Sequence, residues 1–354
     1  MTSKILWTMI AITALMVLPS HAIEGVSDGF SVWTTNFDSY SAEEGYPIVE
    51  WVYDGANEYW DGAEQYLTVP YFQTETHDGN VYDMAFDMIE INGELSAIIA
   101  VSKGTGHFPS QGTEFQHRKL NANGEWEPVQ EPIFKTPADV SPLGVDIYKV
   151  GDEIHIVWVE DNDAAGPKSM KCEIYDQVLT LSTDGTLTTT GEPTLIYTST
   201  LNWSASYPSD GGVNGVAACD YDGDNDIDYV MIQMFYGDSP DKSGIHLIEQ
   251  TSPGVWSDLQ ELIITVPGGG SEALTCADID GDDDLDFLKT NEDGGAWSQI
   301  YWYEKSGDEV SLVGMLIDCN YEGSVYEIPV GHIFGVYAGE PTTSVSSLSS
   351  WPLY

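Results

Sequence analysis

Short apolar runs in this chain alternate with polar residues at every second position, and a 3.6-residue period persists nowhere. Phe86-Asp-Met-Ile-Glu-Ile91, Val145-Asp-Ile-Tyr-Lys-Val150, Ile174-Tyr-Asp-Gln-Val-Leu179 and Ile245-His-Leu-Ile-Glu-Gln250 are examples. A period of two sends alternate side chains to opposite faces of an extended strand. Glycine-containing turns separate the runs: Asn92-Gly93, Asn121-Ala-Asn-Gly124, Gly151-Asp152, Ser182-Thr-Asp-Gly185, Thr251-Ser-Pro-Gly254 and Ser306-Gly-Asp308. These predict a succession of β-hairpins.

The hairpins repeat. Gly124-Glu-Trp126-Glu-Pro-Val-Gln130-Glu131-Pro-Ile133 aligns without a gap on Gly254-Val-Trp256-Ser-Asp-Leu-Gln260-Glu261-Leu-Ile263, and Gly185-Thr-Leu187 begins a fainter copy. Four units of four strands follow, at 83–134, 144–197, 213–264 and 272–316. A four-stranded unit of about 45–60 residues is the size of one propeller blade. Residues 47–70 resemble the outer hairpin of such a unit, and 328–354 offer one more strand pair, so the two ends together can form a closing blade. The expected fold is all-β, a single β-propeller over 23–354 with five blades, or six or seven if 24–46 adds strands of its own. Trp126 and Trp256 are expected to pack between blades.

Residues 1–22 stand apart from this pattern. Lys4 precedes an apolar stretch from Ile5 to Leu18, and Pro19-Ser-His-Ala22 offers a small–x–small cleavage site. The stretch is shorter than the about 20 residues that span a bilayer, so a cleaved signal peptide and a secreted or cell-surface protein are expected. The full chain carries 11 basic and 58 acidic residues, net −47; the leader removes one lysine and no acid, leaving −48. Such a surface excludes nucleic acid and anionic membrane as partners, since phosphate binding needs basic charge. It suits a saline medium, where salt screens the self-repulsion. The four cysteines, Cys172, Cys219, Cys276 and Cys319, permit up to two disulfides in an exported chain. Cys219 and Cys276 each lead into an acidic loop, but with registers that differ by one residue, so no pairing is assigned.

Those loops carry the candidate chemistry. Asp220-Tyr-Asp222-Gly-Asp224-Asn-Asp226-Ile-Asp228 and Asp278-Ile-Asp280-Gly-Asp282-Asp-Asp284-Leu-Asp286 both read D-x-D-G-D-x-D-x-D. Carboxylates so crowded repel one another unless a cation sits among them, and hard oxygen donors in this number suit Ca²⁺ better than Mg²⁺. Glycine at position 4, and Met231 or Lys289 where an EF-hand has its glutamate, exclude the EF-hand. The expected ligands of two calcium ions are the side chains of Asp220, Asp222, Asp224 and Asp228, and of Asp278, Asp280, Asp282 and Asp286, with the backbone carbonyls of Asp226 and Asp284. Asn225 and Asp283, at position 6, are expected to take a left-handed backbone.

These loops resemble the FG-GAP/VCBS repeats of integrin-α-like β-propellers, where such loops join neighbouring strands of a blade. The resemblance covers 213–316 by motif and 83–197 by repeat pattern. It implies a calcium-binding propeller but names no activity, because the family includes adhesins, extracellular enzymes with accessory propellers and proteins without an assigned role.

Catalytic signatures are sparse. No G-x-S-x-G elbow, H-E-x-x-H pair or phosphate-cradling glycine loop occurs. Glycoside hydrolysis needs only two or three acids in a funnel, and Asp87, Asp146 and Glu160, in or beside blade strands, are the candidates. Trp51, Tyr53, Tyr59 and Trp60 form the densest aromatic cluster and are weighed as a sugar platform against the alternative of core packing. The sequence reading is a secreted, calcium-stabilised propeller that binds extracellular glycans or surface proteins as an adhesion module. The alternative is a polysaccharide-active hydrolase or lyase.

Overall fold

The computed structural model describes residues 30–35, 46–54, 59–68, 81–103, 112–121, 125–137, 140–151, 153–162, 172–198, 213–233, 242–257, 261–267, 273–282, 284–292, 298–307, 309–318 and 336–339. All the regular elements among them are strands. The first three, β1 (Ser31–Thr35), β2 (Tyr46–Asp54) and β3 (Tyr59–Thr68), come from the N-terminal part of the chain. Blade 1 holds β4 (Val81–Ile91), β5 (Glu94–Lys103), β6 (Thr113–Leu120), β7 (Glu125–Pro128) and β8 (Phe134–Lys135). Blade 2 holds β9 (Val140–Val150), β10 (Glu153–Asn162), β11 (Cys172–Leu181), β12 (Leu187–Thr189) and β13 (Thr194–Thr198). Blade 3 holds β14 (Val213–Cys219), β15 (Asp228–Gln233), β16 (Lys242–Ile248), the small hairpin β17 (Gln250–Ser252) and β18 (Val255–Trp256), and β19 (Glu261–Pro267). Blade 4 holds β20 (Leu274–Ala277), β21 (Asp286–Glu292), β22 (Ser298–Ser306) and β23 (Glu309–Asp318), and β24 (Val336–Gly339) follows.

Each blade is an antiparallel meander running outward from its first strand. In blades 1 and 2 the outermost place is shared by two short strands, β7 and β8 on β6, and β12 and β13 on β11. The chain ends meet in a terminal sheet ordered β24-β1-β2-β3, with β24 antiparallel to β1 through Trp33–Tyr337 and its neighbours. β3 continues this sheet to β7 by a short parallel contact, Leu67–Glu125 and Thr68–Trp126. The innermost strands β4, β9, β14, β20 and β24 pack successively, and β24 returns to β4. This is a propeller arrangement, in which the terminal sheet closes the ring between blade 4 and blade 1 and the edges of the innermost strands turn toward the axis.

The period-two pattern explains the packing. In blade 3, Ala217, Cys219, Val230, Ile232, Ile245 and Leu247 face blade 4, while Val216, Tyr229, Met231 and Ile248 face blade 2. Both faces of β15 are therefore buried, which is why it reads as the unbroken run Tyr229-Val-Met-Ile232. Similar clusters fill the other junctions: blade 1 with blade 2 around Phe115, Trp158 and Ile156, and blade 4 with the terminal sheet around Trp302, Trp51 and Tyr53. Trp126 packs edge-on to Trp33 between blade 1 and the terminal sheet, and Trp256 packs on the cluster between blades 2 and 3. Trp51 and Tyr53 are thus core residues, and the Trp51 indole N–H donates to Thr34 Oγ1 at 3.1 Å. They do not form an exposed sugar platform; the side chains of Tyr59 and Trp60 lie outside the described residues. Residues 1–29 and 340–354 also lie outside them.

Candidate functional site

Strand 1 passes to strand 2 by a tight turn in blades 1 and 2 and by an acidic loop in blades 3 and 4. In the first loop Gly223 (φ 81°) and Asn225 (φ 71°) take left-handed backbone, as position 6 requires. Those bends turn backbone N–H groups inward onto the carboxylates. Gly223 and Asn225 donate to Asp220 at 2.9 and 3.0 Å, Asp224 to Asp222 at 3.2 Å, and Asp226 to Asp224 at 3.0 Å. The side chains are thereby fixed, with one oxygen each of Asp220, Asp222 and Asp224 within 4.8 Å of one another. Asp228 is fully buried at the far end; its two oxygens accept from Tyr221 N (3.2 Å) and Gln250 N (2.7 Å), and burial pushes its carboxyl up to about 7. Burial, then the neighbouring carboxylates, also raise Asp226 above the ordinary range.

The second loop repeats this plan. Gly281 has φ 79°, Asp278 accepts from Gly281 N (2.7 Å) and Asp282 N (3.1 Å), and one oxygen each of Asp278, Asp280 and Asp282 converge within 4.8 Å. Buried Asp286 accepts from Ile279 N (3.3 Å) and Lys305 N (2.9 Å), and burial again brings it to about 7. Asp283 lies outside the described residues. One difference stands out: Lys305 Nζ is 3.8 Å from Asp284 Oδ1 and lies 5.2 Å from the centre of the Tyr221 ring, so a lysine links the second loop to the first. Both clusters offer hard carboxylate oxygens on a preformed loop and could hold a metal ion.

A second constellation lies on the inner strands. Asp87 on β4 accepts from Ile147 N of blade 2 at 2.8 Å, and Asp146 on β9 accepts from Ala218 N of blade 3 at 2.6 Å. The two carboxyls lie close enough for their protonation to be linked. Asp87 is 4 % exposed, and its Oδ1 is buried without a hydrogen-bond partner among the described residues. Burial, then the charge of Asp146, hold Asp87 well above the usual carboxylate range, and burial raises Asp146 as well. Two acids in contact cannot both ionise readily. Of the two, Asp87 is held the more strongly toward its protonated form.

Glu160 is not part of this pair. It accepts from the Trp158 indole N–H at 2.9 Å and faces Glu173 directly across the β10–β11 ladder, and burial raises its carboxyl. A polar cluster that the sequence reading missed joins blades 2 and 3: Tyr148 and Tyr229 donate to Asp176, the second at 3.0 Å, and His155 Nδ1 lies 3.0 Å from Asp176. Its members sit on four strands, and no local motif marks them.

An FG-GAP-like repeat profile matches residues 220–288, from the start of the first loop to just beyond the second. No curated protein matches the chain in sequence. Among solved structures, a levansucrase variant from B. megaterium is similar at TM-score 0.52 and 8 % identity, covering 83 % of each chain. An exo-1,5-α-L-arabinanase from a bovine ruminal metagenomic library (TM-score 0.46, 12 % identity, 81 % of this chain and 93 % of that one) is also similar. So is the fucose-specific lectin of Aleuria aurantia, at TM-score 0.41 and 12 % identity, covering 83 % and 80 %. At these identities the likeness is one of fold.

Proposed function

We propose that this propeller, which carries an FG-GAP-like repeat, is an exported, calcium-braced protein that cleaves or transfers glycosidic bonds in extracellular glycan, with Asp87 as its proton donor. The observation behind the reading is the Asp87–Asp146 pair on neighbouring inner strands, with Asp87 buried and held well above the usual carboxylate range by burial and by the charge of Asp146. The fold likeness to a levansucrase supports it by analogy. Glycosidases need a carboxylic acid that stays protonated until it meets the leaving oxygen. Asp146 tunes Asp87 to that task through its charge. It is not the second catalytic carboxylate, because acid and nucleophile or base stand about 5–9 Å apart in such enzymes, and these two touch. That second group belongs to another of the chain's acids.

In this reading five blades close the ring, the terminal sheet being the fifth. Two Ca²⁺ ions sit at Asp220, Asp222, Asp224, Asp226 and Asp228 and at Asp278, Asp280, Asp282, Asp284 and Asp286, and residues 1–22 direct export. Calcium neutralises the loops and braces one end of the ring; it takes no part in bond cleavage.

A second reading is glycan binding without turnover, as an adhesion module. It draws on the hydrogen bonds by which Asp87 and Asp146 tie each inner strand to the next, a structural task that explains the pair without chemistry. A panel of fructans, arabinans and plant and marine polysaccharides separates the readings. The enzyme reading expects turnover by the mature chain and its loss in Asp87→Asn at unchanged melting temperature. Full activity in Asp87→Asn would remove the pair from the chemistry. Retention on an immobilised polysaccharide without turnover would establish the binder.

A further inference from the structure

We propose that Cys219 and Cys276 form a disulfide that ties blade 3 to blade 4 at the foot of the two acidic loops. Cys219 immediately precedes Asp220, and Cys276 stands two residues before Asp278. That one-residue difference in register turns the two side chains to opposite faces of their own sheets. In a propeller the opposite faces of neighbouring blades are the ones that meet. Cys219 lies in the hydrophobic cluster between blades 3 and 4 with Leu274, Phe287 and Tyr303; Cys276 packs on the same cluster, and the structure holds both as free thiols, near enough that Cys219, after burial, helps push the Cys276 thiol up.

The inner strands that carry the two cysteines pack against each other. A Cβ placed on Gly215 of β14 would lie 3.1 Å from Leu274 N of β20, so the missing side chain lets the two inner strands approach. Disulfides need that proximity, with Cα atoms about 4.4–6.8 Å apart. A metal is the competing use of two facing thiols. Among the described residues, however, the groups of three or more ligand atoms are the two aspartate clusters, and no third ligand joins the thiols.

The chemistry balances with a disulfide carrier of the export compartment as oxidant. One cysteine thiolate attacks the carrier's S–S bond and forms a mixed disulfide, and the second displaces the carrier. One S–S bond forms in this chain, and two electrons and two protons leave the pair as the carrier becomes a dithiol. The bond closes a loop whose length falls between 15 and 100 residues, for which loop-closure entropy favours folding by about a thousandfold.

The inference rests on export, so the test separates the two. The mature chain is recovered from the medium of a secreting host, denatured, alkylated without reduction and mapped by peptide mass spectrometry. A Cys219–Cys276 cross-link supports the proposal; free alkylation of both, or linkage to Cys172 or Cys319, overturns it. A chain that fails to reach the medium is made without residues 1–22 in a reducing cytosol and oxidised with a glutathione mixture, which reads the geometry alone by the same map. In calcium, reductant should lower the melting temperature of the wild type and leave Cys219→Ser unchanged. Equal sensitivity of the two overturns the proposal.

Discussion

Blades 1 and 2 pass from strand 1 to strand 2 by tight local turns, whereas blades 3 and 4 make the same passage through acidic loops that could hold a metal ion. Where blade 1 turns from strand 1 to strand 2, Asn92 (φ 55°) and Gly93 (φ 80°) suffice, and blade 2 turns at Gly151 (φ 62°). At the same place blade 3 gathers five aspartates in nine residues and blade 4 gathers six. Their inner strands differ too. Asp87 joins the first pair of blades by accepting from Ile147 N, and two cysteines pack on one cluster in the second. Two-residue turns carry their own hydrogen bonds and keep them in any medium. Carboxylates brought together in a loop repel, and their repulsion falls only when a cation binds or protons are taken up. If the loops bind calcium as proposed, one architecture holds a half whose stability is intrinsic and a half whose stability depends on the medium.

Removing calcium is the strongest way to break that comparison. Each site should stabilise the fold by about 2.7 kcal/mol when free calcium is about 100 times Kd. Two sites would then account for a large share of the roughly 5–15 kcal/mol typical of a domain. Chelation should lower the melting temperature steeply and raise hydrogen exchange in 213–233 and 273–292 before 81–103 and 140–162. Asp222→Ala and Asp280→Ala should lose stability in calcium and little in chelator. Uniform exchange around the ring, or equal losses in both media, would show that the loops are solvated turns and the two halves equivalent.

The next effect belongs to the intrinsic half. Asp87→Ala leaves the Ile147 N–H buried without its acceptor, which should cost about 1–3 kcal/mol with or without calcium. Asp87→Asn keeps an acceptor for Ile147 and should be nearly neutral. A loss for Asp87→Ala that appears only in chelator would show that the halves are coupled.

A pH series sharpens the same point. The Asp87 pKa is raised on folding, so above the ordinary carboxylate value of about 4 the folded chain holds a proton that the unfolded chain releases. Stability from this group is complete below that value and is lost as pH rises through the raised one. Buried His117 and His246, held down to about 4, act in the other sense: they remove stability as pH falls from 6.5 toward 4. Subtracting the Asp87→Asn profile cancels the histidines. The wild type should lose stability relative to the variant as pH rises from 4 to 7, and parallel profiles would show that the Asp87 pKa is not raised.

Much of this fold was legible because strand, turn and blade each have a local signal. The alternation from Phe86 to Ile91 and the Asn92-Gly93 turn are written in adjacent residues, and so are both aspartate loops. What was not legible depends on residues far apart in sequence. Asp87 reads like any strand aspartate until Ile147 and Asp146 arrive beside it from the next blade. The register of Cys219 and Cys276 was visible, but it pointed away from a contact while the sheets were taken singly; only the facing of neighbouring blades turns opposite faces into one interface. Trp51 and Tyr53 show another limit, since an aromatic cluster beside a turn has the same sequence whether it meets sugar or, as here, the core of the terminal sheet.

The smallest effect offers the cleanest internal control. Asn92 and Asn225 are the two non-glycine residues with left-handed backbone among those described, one in a tight turn and one in an acidic loop. Left-handed backbone costs a residue other than glycine or asparagine roughly 1–2 kcal/mol. Asn92→Ala should show that loss equally in calcium and in chelator, because its turn is the same in both. Asn225→Ala should show it in calcium and much less in chelator, where nothing obliges the loop to hold position 6 left-handed. Its calcium affinity should fall by the same free energy, about tenfold for 1.4 kcal/mol. Paired calcium titrations and melts of the two variants read both quantities. If Asn225→Ala lost as much stability without calcium as with it, the loop would be as self-sufficient as the turn, and the distinction between the two halves would fail at its most local point.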